Sequence, residues 1–120
     1  SHAQANGKAG AVGFCWGGGT VNALAVADPS LAAGVAYYGR QPAAADVAKI
    51  KAPLVWVNSA DDFINPPELV LAEGFAKQIK TGRFVLIPAS ADTHGHGTHT
   101  WANLWKDQLA ALLKESERHA

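Results

Sequence analysis

The chain has 120 residues, 48% of them hydrophobic, and its ten basic and ten acidic side chains leave no formal net charge. The balance excludes an electrostatic footprint for nucleic acid or an anionic membrane surface, and the apolar content excludes wholesale disorder. No apolar run reaches the roughly 18 residues of a spanning helix and the N-terminus has no signal-peptide core, so no membrane partner is expected. The length suits one domain, residues 1–120. One cysteine cannot close an internal disulfide, which fits a reducing, cytoplasmic compartment.

In chain order, "KAGAVGFC" (8–15) reads as a short buried strand entered through the turn-forming Asn6-Gly7. Residues 18–28 carry a helical pattern with Val21, Leu24 and Ala25 on one face, stopped by Pro29. A second apolar strand is "AAGVAYYG" (32–39), and "PAAADVAKI" (42–50) makes a short helix with Pro42 in its first turn. The third strand, "APLVWVNS" (52–59), is continuously apolar and so buried on both faces. Pro66 and Pro67 open a helix to about Lys80 with Leu69, Val70 and Phe75 inward, and Gly82 lies beyond its end. "RFVLIPAS" (83–90) is the fourth strand, "ADTHGHGTH" (91–99) a polar loop. The spacing Trp101, Leu104, Trp105, Leu109, Leu112 predicts one amphipathic helix from about Thr98 to Glu117. Strands alternating with helices imply an α/β fold built on a parallel sheet.

Three places could carry chemistry. Cys15 occupies the middle of Gly13-Phe14-Cys15-Trp16-Gly17, a G-x-nucleophile-x-G pattern at a strand-to-helix turn, where a helix N-terminus favours the thiolate. A phosphate loop fits less well: the lysine and Ser/Thr of a Walker motif are absent and G-x-G-x-x-G is unmatched. Asp61 and Asp62 leave the third strand, and either carboxylate could orient a histidine ring or simply cap a loop. The continuation of Asp62 into Ile64 and Pro66 favours it. His94, His96 and His99 crowd one loop and raise a metal reading. The single cysteine and the lack of another acidic cluster leave no further ligand, so neither metal nor cofactor is expected. A general base is favoured, with His96 between two glycines ahead of His94. Nucleophile, acid, histidine after successive strands is the chain order of α/β-hydrolases, and all three would stand at carboxyl ends of strands.

The stretch "NGKAGAVGFCWGGGTVNALAVADPSLAAGVAYYGRQP" (6–42) resembles the nucleophile elbow and following strand of the dienelactone hydrolase family. "VNSADDFINPPE" and "GRFVLIPASADTHGHGTHT", within 51–103, are more similar to α/β-hydrolases of the homoserine O-acetyltransferase type, a change of family near Lys51 as in a divergent or recombined chain. Both likenesses imply the triad Cys15, Asp62 and His96. They also imply only the C-terminal half of the hydrolase fold, without the loop supplying a second oxyanion donor, so that the backbone N–H of Trp16 alone can be assigned there.

The expected architecture is a three-layer α/β sandwich. Its four-stranded parallel sheet would have helices 18–28, 43–50 and 66–80 on one face and the C-terminal helix on the other. The expected activity is hydrolysis of a small carboxylic ester or lactone. The alternatives are acyl transfer of the homoserine O-acetyltransferase type and a catalytically idle fragment or engineered scaffold. An open edge at the first strand invites pairing with another chain, so a homodimer is expected.

Overall fold

The computed structural model describes residues 3–118, with the side chains of 67–70 and 118 outside that description. Four strands, β1 (Gly10–Phe14), β2 (Ala33–Tyr37), β3 (Leu54–Ser59) and β4 (Gly82–Ile87), pair in parallel in the order β1-β2-β3-β4. The register aligns Phe14 with Tyr37, Tyr37 with Val57, and Val57 with Val85. One rank thus crosses the sheet near its carboxyl ends, and the loops that follow open on the same rim. Every residue of β2 and β3 is buried, as expected of inner strands covered on both faces.

The helices are α1 (Trp16–Ala27), α2 (Ala44–Val47), α3 (Pro66–Ala76) and α4 (Lys106–Arg118). Alternation along the strands sorts them into two layers. Ala36, Leu54 and Trp56 face Val21 and Ala25 of α1, Val47 of α2 and Ala72 and Ala76 of α3. Val35, Tyr37, Val55 and Val57 face Leu112 and Leu109 of α4, with Leu104 and Trp105 ahead of it. The result is a three-layer α/β sandwich, one helical layer on each face of the sheet. Among the described residues no helix is long and apolar enough to cross a membrane.

Four local expectations are corrected. In α1 the inward face carries Asn22 beside Val21 and Ala25, while Leu24 is 39% exposed. Asn22 is accommodated by two bonds: the Trp56 indole N–H donates to its Oδ1 at 2.7 Å, and its Nδ2 donates to the Arg40 carbonyl at 2.9 Å. The helix read at 42–50 contracts to Ala44–Val47, its exit closed by tight bonds from Lys49 and Ile50 back to Asp46 and Val47. Helix α3 ends at Ala76, and its last turn tightens through Gln78-to-Phe75 and Ile79-to-Ala76 bonds. Leu69 and Val70 lie outside the described side chains.

The fourth correction bears on the site. The single helix expected from Thr98 is broken into 3-10 turns at Gly95–Thr100 and Ala102–Leu104, and α4 begins only at Lys106. Thr98 and Thr100 bind nearby backbone, accepting from His94 N–H at 2.8 Å and donating to the Gly97 carbonyl at 2.9 Å. Such local bonds compete with the helical ladder, and two glycines lower its propensity further. Trp101 consequently leaves the apolar stripe and stacks on His94, ring centroids 4.5 Å apart.

Candidate active site

Cys15 is the single residue between β1 and α1, and it turns the chain with φ 54 and ψ −118. A side chain other than glycine rarely adopts this left-handed region, at a cost of order 1–3 kcal/mol. Neighbouring backbone holds it there. Cys15 N–H donates to the Tyr37 carbonyl at 3.1 Å, and Gly19 N–H returns to the Cys15 carbonyl at 3.2 Å. A Cβ on Gly13 would lie 2.1 Å from the Gly17 carbonyl oxygen, so only glycine allows the strand and helix to approach this closely. Gly17 itself has open space around it, so the constraint falls on the first glycine of the pattern. The thiol is exposed. Among the described residues its sulfur makes no hydrogen bond. The Trp16 N–H stands at the first position of α1, and the Trp16 side chain is 83% exposed.

A second turn locks against the first. Tyr38, directly after β2, has φ 42, and Gly39 has φ 109. A Cβ on Gly39 would stand 2.1 Å from the Cys15 carbonyl oxygen. Tyr38 is buried, its ring 4.0 Å from that of His96 between centroids. Burial raises its phenol to about 12, with the negative charges of Cys15 and Asp62 adding to the effect, so Tyr38 lies within electrostatic reach of both.

The two aspartates divide the work. Asp62 is buried, and its carboxylate accepts from Ile64 N–H at 2.8 Å and faces His96 Nδ1 at 3.0 and 3.2 Å. A carboxylate only accepts, so Nδ1 carries the proton and Nε2 of the neutral ring is left as the basic nitrogen. Asn65 Nδ2 stands 3.4 Å from the same Nδ1. Asp61 bonds the loop instead of the ring: it accepts from Ser59 Oγ and, at 3.0 Å, from Gly95 N–H. The Ser59 bond, followed by bonds from the Gly95 amide and Thr93, holds its carboxyl below the usual range.

The structure therefore brings Asp62 and His96 together and leaves Asp61 and His94 outside that pair. The histidines do not form a metal cluster: among the described residues no three His, Cys, Asp or Glu side chains could hold an ion together. A groove of about 530 Å³ runs beside α1, lined by Trp16, Thr20, Arg40 and Gln41, but none of Cys15, Asp62 and His96 lines it. Tyr38 and Asn65 contribute to the site without standing out in the sequence, and His99, read there only as one of three loop histidines, contributes as well. The signal for Tyr38 is "YYG", since a glycine after a strand-end aromatic marks a turn at the same topological station as Cys15.

The family model of the dienelactone hydrolases matches residues 1–107. The chain belongs to the dienelactone hydrolase family. That match continues well past Lys51, so a single family accounts for both halves of the chain, and the homoserine O-acetyltransferase likeness has no counterpart in these matches. The carboxymethylenebutenolidase homolog of Mus musculus is 41% identical over 69 residues, which are 58% of this chain and 27% of that protein. The Homo sapiens homolog is 32% identical over 96 residues, 78% of this chain and 38% of that protein. The chain thus matches well under half the length of these relatives. Among solved structures, the dienelactone hydrolase of Anabaena variabilis superposes with a TM-score of 0.62 at 26% identity, over 92% of this chain and 47% of that one. A dienelactone hydrolase-like promiscuous phosphotriesterase from metagenomic libraries gives 0.69 at 23% identity, over 93% and 55%, a likeness of fold.

Proposed function

We propose that this member of the family hydrolyses a small carboxylic ester or lactone, with Cys15 as nucleophile, His96 as proton carrier and Asp62 as the group that orients it. The observation that carries this reading is the strained elbow at Cys15, facing the same rim as a histidine whose Nδ1 is engaged by a buried carboxylate. Nε2 of His96 accepts the Cys15 thiol proton, giving a thiolate–imidazolium pair. The thiolate adds to the substrate carbonyl, forming a C–S bond as the C=O π bond opens, and the oxyanion is met by the Trp16 N–H at the first turn of α1. Collapse breaks the C–O bond, and the departing alkoxide takes the proton held by the His96 imidazolium. Water then attacks the thioester while Nε2 accepts its proton, the C–S bond breaks, and the acid and thiolate are regenerated. Asp62 keeps its proton partner fixed throughout and stabilises the imidazolium. Relatives bearing the carboxymethylenebutenolidase name support the lactone or ester class.

The test is p-nitrophenyl acetate turnover by the chain and by Cys15→Ala. The expected result is steady turnover that the substitution lowers by roughly 10³-fold or more, the scale lost when a nucleophile is removed. Equal rates in the two proteins would overturn the reading. A burst with no later turnover would limit it to acylation.

A further inference from the structure

His99 takes no part in the proposed chemistry, yet it touches the end of β1, the turn after β2 and the loop of His96 itself. Its Nδ1 lies 2.9 Å from the His96 carbonyl oxygen and 2.6 Å from the Tyr38 hydroxyl. Its ring packs 5.0 Å, centroid to centroid, from Phe14, the last residue of β1 and the neighbour of Cys15. Its own carbonyl accepts the Trp105 indole N–H at 2.9 Å, which ties it to the entrance of α4. His94, the other spare histidine of the loop, stacks on half-exposed Trp101.

We infer that His99 is a positioning residue: its Nδ1–H holds the His96 carbonyl, and with Tyr38 it fixes the ring that faces Asp62. The inference rests on the reading of His96 and Asp62 given above. Its chemical basis is the inventory of donors. A backbone carbonyl can only accept, so the proton of this contact belongs to His99 Nδ1, and the Tyr38 hydroxyl oxygen shares it as a second acceptor. The bond closes the 3-10 turn of Gly95–Thr100 from the side-chain direction, in a segment whose glycines on either side of His96 would otherwise let that residue swing. The Tyr38 ring, 4.0 Å from His96, blocks the other direction. His96 is thus confined from three sides, by Asp62, Tyr38 and its own carbonyl.

Two substitutions separate the hydrogen bond from simple packing. His99→Leu keeps an apolar body against Phe14 but donates nothing. His99→Asn places an amide N–H₂ where Nδ1 stood. The primary readout is the downfield proton resonance of His96 Nδ1–H bonded to Asp62, identified by its disappearance in His96→Gln. The resonance should persist in His99→Asn and be lost or exchange-broadened in His99→Leu, with thermal melts showing both variants folded. Persistence in His99→Leu, or equal loss in both folded variants, overturns the inference. If the leucine variant fails to fold, the same measurement on His99→Ala, which has no side-chain donor, replaces it under the same criteria. Ester turnover supplies the second arm: kcat should fall roughly 10–100-fold in the leucine variant with KM little changed, the cost of a misplaced group. If Cys15→Ala hydrolyses as fast as the unaltered chain, the triad reading fails, while the resonance still judges the role of His99.

Discussion

The Tyr38 phenol shows how a single side chain couples the strained turns to solution conditions. Its folded-state value of about 12 stands above the ordinary 10.0, burial being the main cause. The unfolded phenol titrates first as the pH rises. The stability contributed by the neutral ring is therefore complete below pH 10 and is lost as the pH climbs through about 12. Urea midpoints measured at pH 9 and pH 11 should show this loss in the unaltered chain and a shallower one in Tyr38→Phe. Tyr37, raised further by burial, keeps part of the slope in the variant. An identical drop in both proteins would mean that Tyr38 does not titrate differently on folding. The acid side works in the opposite sense through Asp61, whose depressed carboxyl contributes stability above its unfolded value of 3.8 and loses it as the pH falls through the lower folded one.

At the scale of elements, the buried pair Asn22 and Trp56 joins α1 to β3 and, through Arg40, to the chain leaving β2. Asn22→Ala leaves an indole N–H and a carbonyl without partners and should cost about 2–4 kcal/mol in denaturant unfolding. Combining it with Trp56→Phe should cost less than the sum, with a coupling of about 1 kcal/mol or more; strict additivity would contradict the pairing. This pair also marks where the sequence stops being legible. Cys15 stands out as a candidate because a cysteine between glycine-x and x-glycine, directly after an apolar run, is a narrow pattern. Asp62 and His96 are readable because each follows a recognisable strand. Asn22 is not, because helical spacing gives its polar side chain no reason to turn inward until Trp56 is seen opposite. His99 is visible as one of three clustered histidines, but what it touches is hidden for the same reason, its partners Tyr38 and Phe14 being remote in sequence. The C-terminal helix reads as longer than it is because apolar spacing ignores the threonine side chains that capture nearby backbone in the histidine loop.

Across the whole molecule, the inner strands are covered and the outer ones are not: β4 is only half-buried, and β1, read from its apolar run as buried, is mostly exposed. Val12 and Phe14 are 58% and 41% exposed, Leu113 of α4 is 54% exposed, and a groove of about 180 Å³ runs between them over Val35, Leu109 and Leu112. Apolar surface removed from water is worth about 25 cal/mol per Å², so this side favours association. A homodimer remains the expected outcome: light scattering at micromolar concentration should give twice the 12.5 kDa chain mass, and Leu113→Glu should return it towards the single-chain value. A mass of one chain, unchanged on dilution, would be the contrary result.

The strict sequential order of the parallel strands has a consequence in time. Cys15, Tyr38, Asp62 and His96 follow β1, β2, β3 and β4 in turn, so none of their mutual contacts is local in sequence. During synthesis the thiol leaves the ribosome first and the histidine that faces Asp62 leaves last. A chain arrested before β4 pairs carries Cys15 with the His96–Asp62 contact still unmade, and that contact forms only once β4 has joined the sheet.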